Sequence, residues 1–140
     1  MRILQFAFGE VGGGDNTNAY LPHNFERNTV GYTGTHDNNT TQGWWAEASP
    51  ALRRRVLDYL GTGGDDDGDD IHWQLIRAAC ASVADTAIYP LQDVLGLGGE
   101  HRMNRRGQGE GHWEWRFGWE QVQPVHAERL PRLGRLYRRE

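Results

Sequence analysis

The run Tyr32-Thr33-Gly34-Thr35-His36-Asp37-Asn38-Asn39-Thr40-Thr41 concentrates the chemistry of this chain. Asp37 offers a fixed negative charge, His36 a donor or acceptor that switches with pH, and Asn38 a neutral amide, all within one turn of chain. Such a set suits the gripping of sugar hydroxyls. The run follows residues that read as a strand. In parallel α/β folds ligands gather at the carboxyl ends of strands, because loops there can vary without harming the core. The spacing alone leaves a plainer reading open, in which Asp37 or Asn38 caps a helix and His36 is structural.

Other constellations carry less. The histidines His23, His36, His72, His101, His112 and His126 show no ligand spacing such as HxxxH, so a zinc site is not expected. Gly12-Gly13-Gly14 lacks a lysine and a following helix, so it is no phosphate loop. The acidic run at 61–70 gathers oxygen ligands, yet the twelfth position counted from Asp65 is Ile76, where a calcium loop needs a bidentate Glu. It reads as a solvated linker whose last residue, Asp70, caps the next helix. Trp113, Trp115 and Phe117 alternate with Glu114 and Arg116, the period of a half-buried extended segment. These tryptophans could stack on sugar rings, but the alternation favours pinning a loop to a core.

The elements that must position these residues follow from periodicity. Residues 2–8 read as a short strand buried on both faces, through Ile3, Leu4, Phe6 and Phe8. Residues 9–27 form a long glycine-rich and asparagine-rich loop, a length that hints at function. Residues 29–34 are a second strand, and Thr86 to Leu91 a third. Ser49 and Pro50 open a helix that Gly61 closes. Ile71, Leu75, Ala79 and Val83 repeat every four residues along another. Residues 96–112 return to loop composition, and His126 to Arg139 is a helix broken or restarted at Pro131. Strands alternating with helices predict a parallel α/β architecture. Three strands cannot close a barrel and make a poor doubly wound sheet, so the count itself says that something is missing.

Composition excludes several classes. At 140 residues the chain can bury a core as one domain, and 37% hydrophobic with 24% charged residues fits a globular protein. A net charge of −4 gives no electrostatic footprint for nucleic acid. Arg129, Arg132, Arg135, Arg138 and Arg139 read as the solvated face of the terminal helix. No apolar run reaches membrane-spanning length, and the apolar start from Met1 to Phe8 is too short for a signal peptide. The single cysteine, Cys80, fits a reducing, cytoplasmic setting and lies in an apolar helical pattern that predicts burial.

Six runs, taken together, resemble one family. LQFAF (4–8), YLPHNF (20–25), YTGTHDN (32–38), YPLQDVLGLG (89–98), RMN (102–104) and HWEWR (112–116) are similar, in order and spacing, to the amylomaltases, the disproportionating 4-α-glucanotransferases. The resemblance implies a (β/α)8 TIM barrel, of which residues 1–140 would be a single partial domain. That domain would be the C-terminal part, about the last three strands and their helices. It implies transfer of α-1,4-glucan segments between maltooligosaccharides with retention, without metal or organic cofactor.

Retaining chemistry needs a nucleophile and an acid/base, and a further carboxylate braces the distorted sugar. By the resemblance Asp37 matches that bracing carboxylate and His36 its sugar-binding neighbour, with Asn38 beside them. Phe6 and Glu10 fall where the family lines its glucan groove, and Asp93 and Asn104 lie in matching runs of the last barrel loop. The nucleophilic Asp and the acid/base Glu belong to earlier strands, upstream of LQFAF. The chain is therefore expected to lack both, to need the N-terminal part of the barrel as its partner, and to be inactive alone. The alternative is a catalytically inactive carbohydrate-binding remnant. His112 stands where many family members carry Asn.

Overall fold

The computed structural model describes residues 1–9, 16–62, 68–105, 107 and 109–139. Three short parallel strands lie in the order β1 (Arg2–Ile3), β2 (Val30–Tyr32) and β3 (Thr86–Ile88), with Arg2 paired to Gly31 and Val30 to Thr86. The chain is thus α/β and parallel, as the strand–helix alternation predicts. Among the described residues β1 and β3 are both edges of the sheet.

The first strand is shorter than its apolar run. After Ile3 the chain turns into a 3₁₀ helix over Leu4–Phe6, which buries Leu4, Ala7 and Phe8 but leaves Phe6 38% exposed. A run buried on several sides cannot be told from a helical turn by periodicity alone. Asn18 fixes this turn from the following loop, its Nδ2 donating to the carbonyls of Phe6 (3.1 Å) and Ala7 (2.9 Å). In β2 Gly31 packs closely under Phe25, since a Cβ there would lie 3.2 Å from the ring and the ring would have to shift.

Between β2 and β3 run α1 (Thr41–Glu47), α2 (Pro50–Leu60) and α3 (Ile71–Ala81). α2 obeys its sequence signals: Ser49 accepts from the Leu52 amide at 3.2 Å, Pro50 opens the first turn, and Gly61 ends it at φ 69°. On α3, Ile71, Leu75 and Ala79 are buried as their spacing predicts, whereas Val83 lies past the helix end and is 59% exposed. Asp70 does not cap α3 with its side chain. Its carboxylate is taken by Arg129, whose guanidinium also lies 4.7 Å from the Trp73 ring centroid. The central part of the acidic linker, 63–67, lies outside the described residues.

β3 ends at Ile88 rather than Leu91, since Pro90 cannot donate to a ladder; α4 (Leu91–Val94) starts there. α5 (Pro124–Leu136) runs unbroken through Pro131. An internal proline costs a helix about 3 kcal/mol, an amount offset in part by the apolar side chains packed along its inner side. Leu130, Leu133 and Tyr137 all pack against Trp73, Ile76, Cys80 and Val94. The other part of the core joins Leu4, Phe8, Phe25, Trp45, Val56, Ile71 and Leu75.

The arginine end is only partly a solvated face. Arg132, Arg135 and Arg138 are exposed. Arg139 instead donates to the carbonyls of Ala79, Cys80, Ser82 and Ala84, around the C-terminal end of α3. Cys80 is buried, with its Sγ 2.8 Å from the Tyr89 hydroxyl, whose pKa burial pushes upward. No described helix is long and apolar enough to cross a membrane.

α3 also carries a pH-sensitive contact. Burial holds the His72 pKa below its ordinary 6.5, Arg129 and His126 add to that, and Asp70 opposes it. Gln42 Nε2 approaches His72 Nδ1 at 2.9 Å, a contact that asks for the unprotonated ring nitrogen. A depressed histidine contributes stability above its unfolded pKa and loses it as pH falls through the folded one. Melting temperature should therefore drop between pH about 7.5 and about 5, and drop less in His72→Gln. Equal drops in the two proteins would exclude His72 as the source.

Candidate functional site

The carboxyl ends of β2 and β3 open into a cleft of about 510 Å³, whose walls include Tyr32, His36, Asp37, Tyr89, Leu91 and Trp115. Tyr32 closes β2 and the His36-Asp37-Asn38 loop follows it directly. Tyr89 to Gln92 extend from β3 on the opposite side. Asp37 is the sole carboxylate in the lining among the described residues. A second cleft, about 600 Å³, lies at the ends of α2, α3 and α5 near Pro22, His23, Tyr59, Arg77 and Tyr137. Among the described residues its lining holds no carboxylate and none of the runs that carry the family resemblance except part of YLPHNF.

Asn104, Arg102 and His36 all approach Asp37. Asn104 Nδ2 donates to its Oδ1 at 2.6 Å, Arg102 Nη2 donates to its backbone carbonyl at 3.2 Å, and His36 Nε2 stands 3.6 Å from its Oδ2. The side chain remains 34% exposed, so a ligand can still reach it. A partly exposed carboxylate with one oxygen fixed by a neutral amide can accept hydroxyl protons or face a developing positive charge.

The plainer reading of this loop does not hold. α1 is capped by Thr40, whose hydroxyl accepts from the Gly43 amide at 3.0 Å, so neither Asp37 nor Asn38 is the helix cap. Asn38 is a turn residue: its Oδ1 accepts from the Thr35 amide (2.9 Å) and hydroxyl (2.7 Å). It shapes the loop while lining the cleft.

Asp93, expected among the sugar-binding residues, lies beneath the loop of Asp37 and outside the cleft lining. It is 1% exposed, and its carboxylate accepts from the Thr33 hydroxyl (2.5 Å), the Thr41 amide (2.7 Å) and the Thr41 hydroxyl (2.9 Å). Every oxygen is taken inside the protein, which leaves no path for a glucan hydroxyl. Burial raises its pKa, and the bonds from Thr33 and Thr41 oppose that shift. Thr33 ends the chain out of β2 and Thr41 begins α1, so Asp93 ties both ends of the loop that carries Asp37.

Phe6 stands outside the cleft lining, half exposed, its ring edge-on to Tyr20 with centroids 5.6 Å apart. Glu10 lies outside the described residues. The local run thus brings His36, Asp37 and Asn38 together, and the fold adds Asn104. Sequence reasoning missed Gln5, a buried residue whose Nε2 donates to the Asn39 carbonyl at 2.9 Å and braces the loop from the 3₁₀ turn. It also missed Arg102, although the RMN run was in view. Trp115 is half-buried and pinned, its indole N–H donating to His101 Nδ1 at 3.1 Å, while Trp113 is 62% exposed. The expected alternation therefore fails at Trp113, whose backbone sits at φ 64°. No group of three or more metal-ligating side chains occurs among the described residues.

Comparisons with known proteins extend these observations. A family model described as 4-alpha-glucanotransferase matches residues 1–121. The chloroplastic/amyloplastic 4-alpha-glucanotransferase DPE1 of Arabidopsis thaliana is 49% identical over 117 residues, 84% of this chain and 19% of that protein. The 4-alpha-glucanotransferase of Synechocystis sp. is 44% identical over 140 residues, 99% of this chain and 26% of that protein. Among solved structures, an amylomaltase from Streptococcus agalactiae in complex with acarbose superposes with a TM-score of 0.87 at 28% identity, covering 99% of this chain and 27% of that one. The chain thus spans between 19% and 27% of the length of these relatives.

Proposed function

The chain belongs to the 4-alpha-glucanotransferase family, and we propose that it is the C-terminal segment of a retaining transferase barrel, supplying the carboxylate that stabilises the transition state. The observation that carries this reading is Asp37, held by Asn104 at the mouth of a cleft formed by strand ends. When a glycosidic bond breaks, the sugar flattens and turns cationic at its anomeric carbon. Asp37, opposite that charge, accepts the hydroxyls of the distorted ring, and its pre-set geometry costs no reorganisation as the charge grows. His36 adds a second polar contact from the same loop.

The nucleophile and the acid/base come from the remainder of the barrel, as does pairing for the edges of β1 and β3. Ile88 on β3 is 43% exposed, an apolar edge of the kind that invites another strand. The substrates are maltooligosaccharides or longer α-1,4-glucans. Alone, the chain releases no glucose from maltotriose, because an orienting carboxylate does not replace covalent and general-acid catalysis.

A second reading, a glucan-binding remnant without catalysis, is favoured by the lone carboxylate in the lining among the described residues. One experiment separates them. The chain replaces the matching region of the Synechocystis relative, and chain and chimera are each incubated with maltotriose. Glucose and longer oligomers are expected from the chimera only. An inactive but folded chimera would leave the remnant reading, and activity that copurifies with the isolated chain would overturn both.

A further inference from the structure

We infer that Trp113 is a stacking platform for a glucose unit adjoining the one held at Asp37, an inference that rests on the glucan reading of the cleft. Three observations converge on it. First, Trp113 keeps a flat apolar face in water, 62% exposed, while its neighbours Trp115 and Phe117 stack on each other at 5.7 Å and are half-buried. Second, Trp113 lies at φ 64°, a conformation uncommon for a bulky side chain and retained only where the surroundings fix it. They do so here: its amide donates to the Met103 carbonyl at 2.9 Å, and Arg105 donates its amide to His112 Nδ1 at 3.1 Å. The loop that follows the RMN run is thereby closed, with the indole at its end. Third, the indole centroid is 4.8 Å from that of His36, whose Nε2 stands 3.6 Å from the Asp37 carboxylate.

The chemistry of the ligand matches this layout. A pyranose has a face of C–H groups and a rim of hydroxyls. An indole offers an electron-rich face to the first, and His36 and Asp37 offer polar atoms to the second. One imidazole separates the platform from the carboxylate, so the two address neighbouring units of one glucan. A tryptophan that only pinned the loop would be drawn in and hydrogen-bonded, as half-buried Trp115 is by its bond to His101.

The test uses the chain itself, ¹⁵N-labelled, titrated with maltoheptaose and followed by its indole N–H resonances. The Trp113 resonance is assigned by its disappearance in Trp113→Phe. It should move on titration, and Trp113→Ala should weaken binding about tenfold while Trp113→Phe keeps most of the affinity. If Trp113→Ala does not fold, the shift in the wild-type chain decides. Maltoheptaose that moves other resonances but not that of Trp113, or that binds Trp113→Ala as tightly as wild type, overturns the platform and leaves the cleft reading intact. A wild-type chain with no shift anywhere overturns both.

Discussion

Asp37→Asn in the Synechocystis chimera should lower turnover by about 10²–10³ while KM changes only a few-fold. The substitution keeps the shape of the side chain and leaves an amide oxygen where Asn104 donates at 2.6 Å, so the loop keeps its bond. What disappears is the charge. A neutral amide binds the ground-state sugar nearly as well as a carboxylate does, but it does not answer the positive charge that appears at the anomeric centre. The effect therefore falls on kcat rather than on binding. Were Asp37 merely a shaping residue like Asn38, the amide would serve almost equally. Steady-state kinetics on maltotriose decide, and turnover within a few-fold of wild type would remove Asp37 from the transition state.

Much of the fold was legible because local signals and tertiary demands agree. Ser49-Pro50 and Gly61 bound α2 as they would bound an isolated helix, and Ile71, Leu75 and Ala79 face the core at helical spacing. Reading failed where packing overrode the local signal. α5 continues through Pro131 because its apolar side packs onto α3, and that surface is not written in the helix itself. α1 went unseen, since Thr41–Glu47 carries Gly43 and adjacent tryptophans in place of a regular apolar stripe. The run 2–8 was apolar enough for a strand, but Gln5 turns inward to Asn39 and the chain coils to let it.

The site divides in the same way. His36, Asp37 and Asn38 are adjacent in sequence, and their chemistry could be read directly. Their supports come from far along the chain: Gln5 on one side, Arg102 and Asn104 on the other, Asp93 beneath. Family resemblance named Asn104 and Asp93 together, yet it could not separate a residue on the carboxylate from one sealed under the loop. Burial separates them, and burial is a property of the assembled fold.

That separation has a large measurable consequence at Asp93. Asp93→Ala should destabilise the chain by about 3 kcal/mol, and Asp93→Asn by about 1 kcal/mol. In the alanine variant the Thr41 amide and the Thr33 and Thr41 hydroxyls lose their shared acceptor, and both threonines are fully buried. Each buried donor left unmade costs about 1–3 kcal/mol, but part is recovered because a carboxylate whose pKa burial has raised no longer needs to be kept there. Asparagine can place its oxygen on the Thr41 amide and its nitrogen toward the two hydroxyls, each of which can turn to accept. Urea denaturation measures both variants, read as a lower midpoint at unchanged slope. A sugar ligand would behave in the opposite way, with Asp93→Ala as stable as wild type and weaker only for maltoheptaose. Because Thr33 and Thr41 bracket the loop of Asp37, the destabilised variant should also lose maltoheptaose binding under conditions where its core is still folded, and Asp93→Asn should keep it.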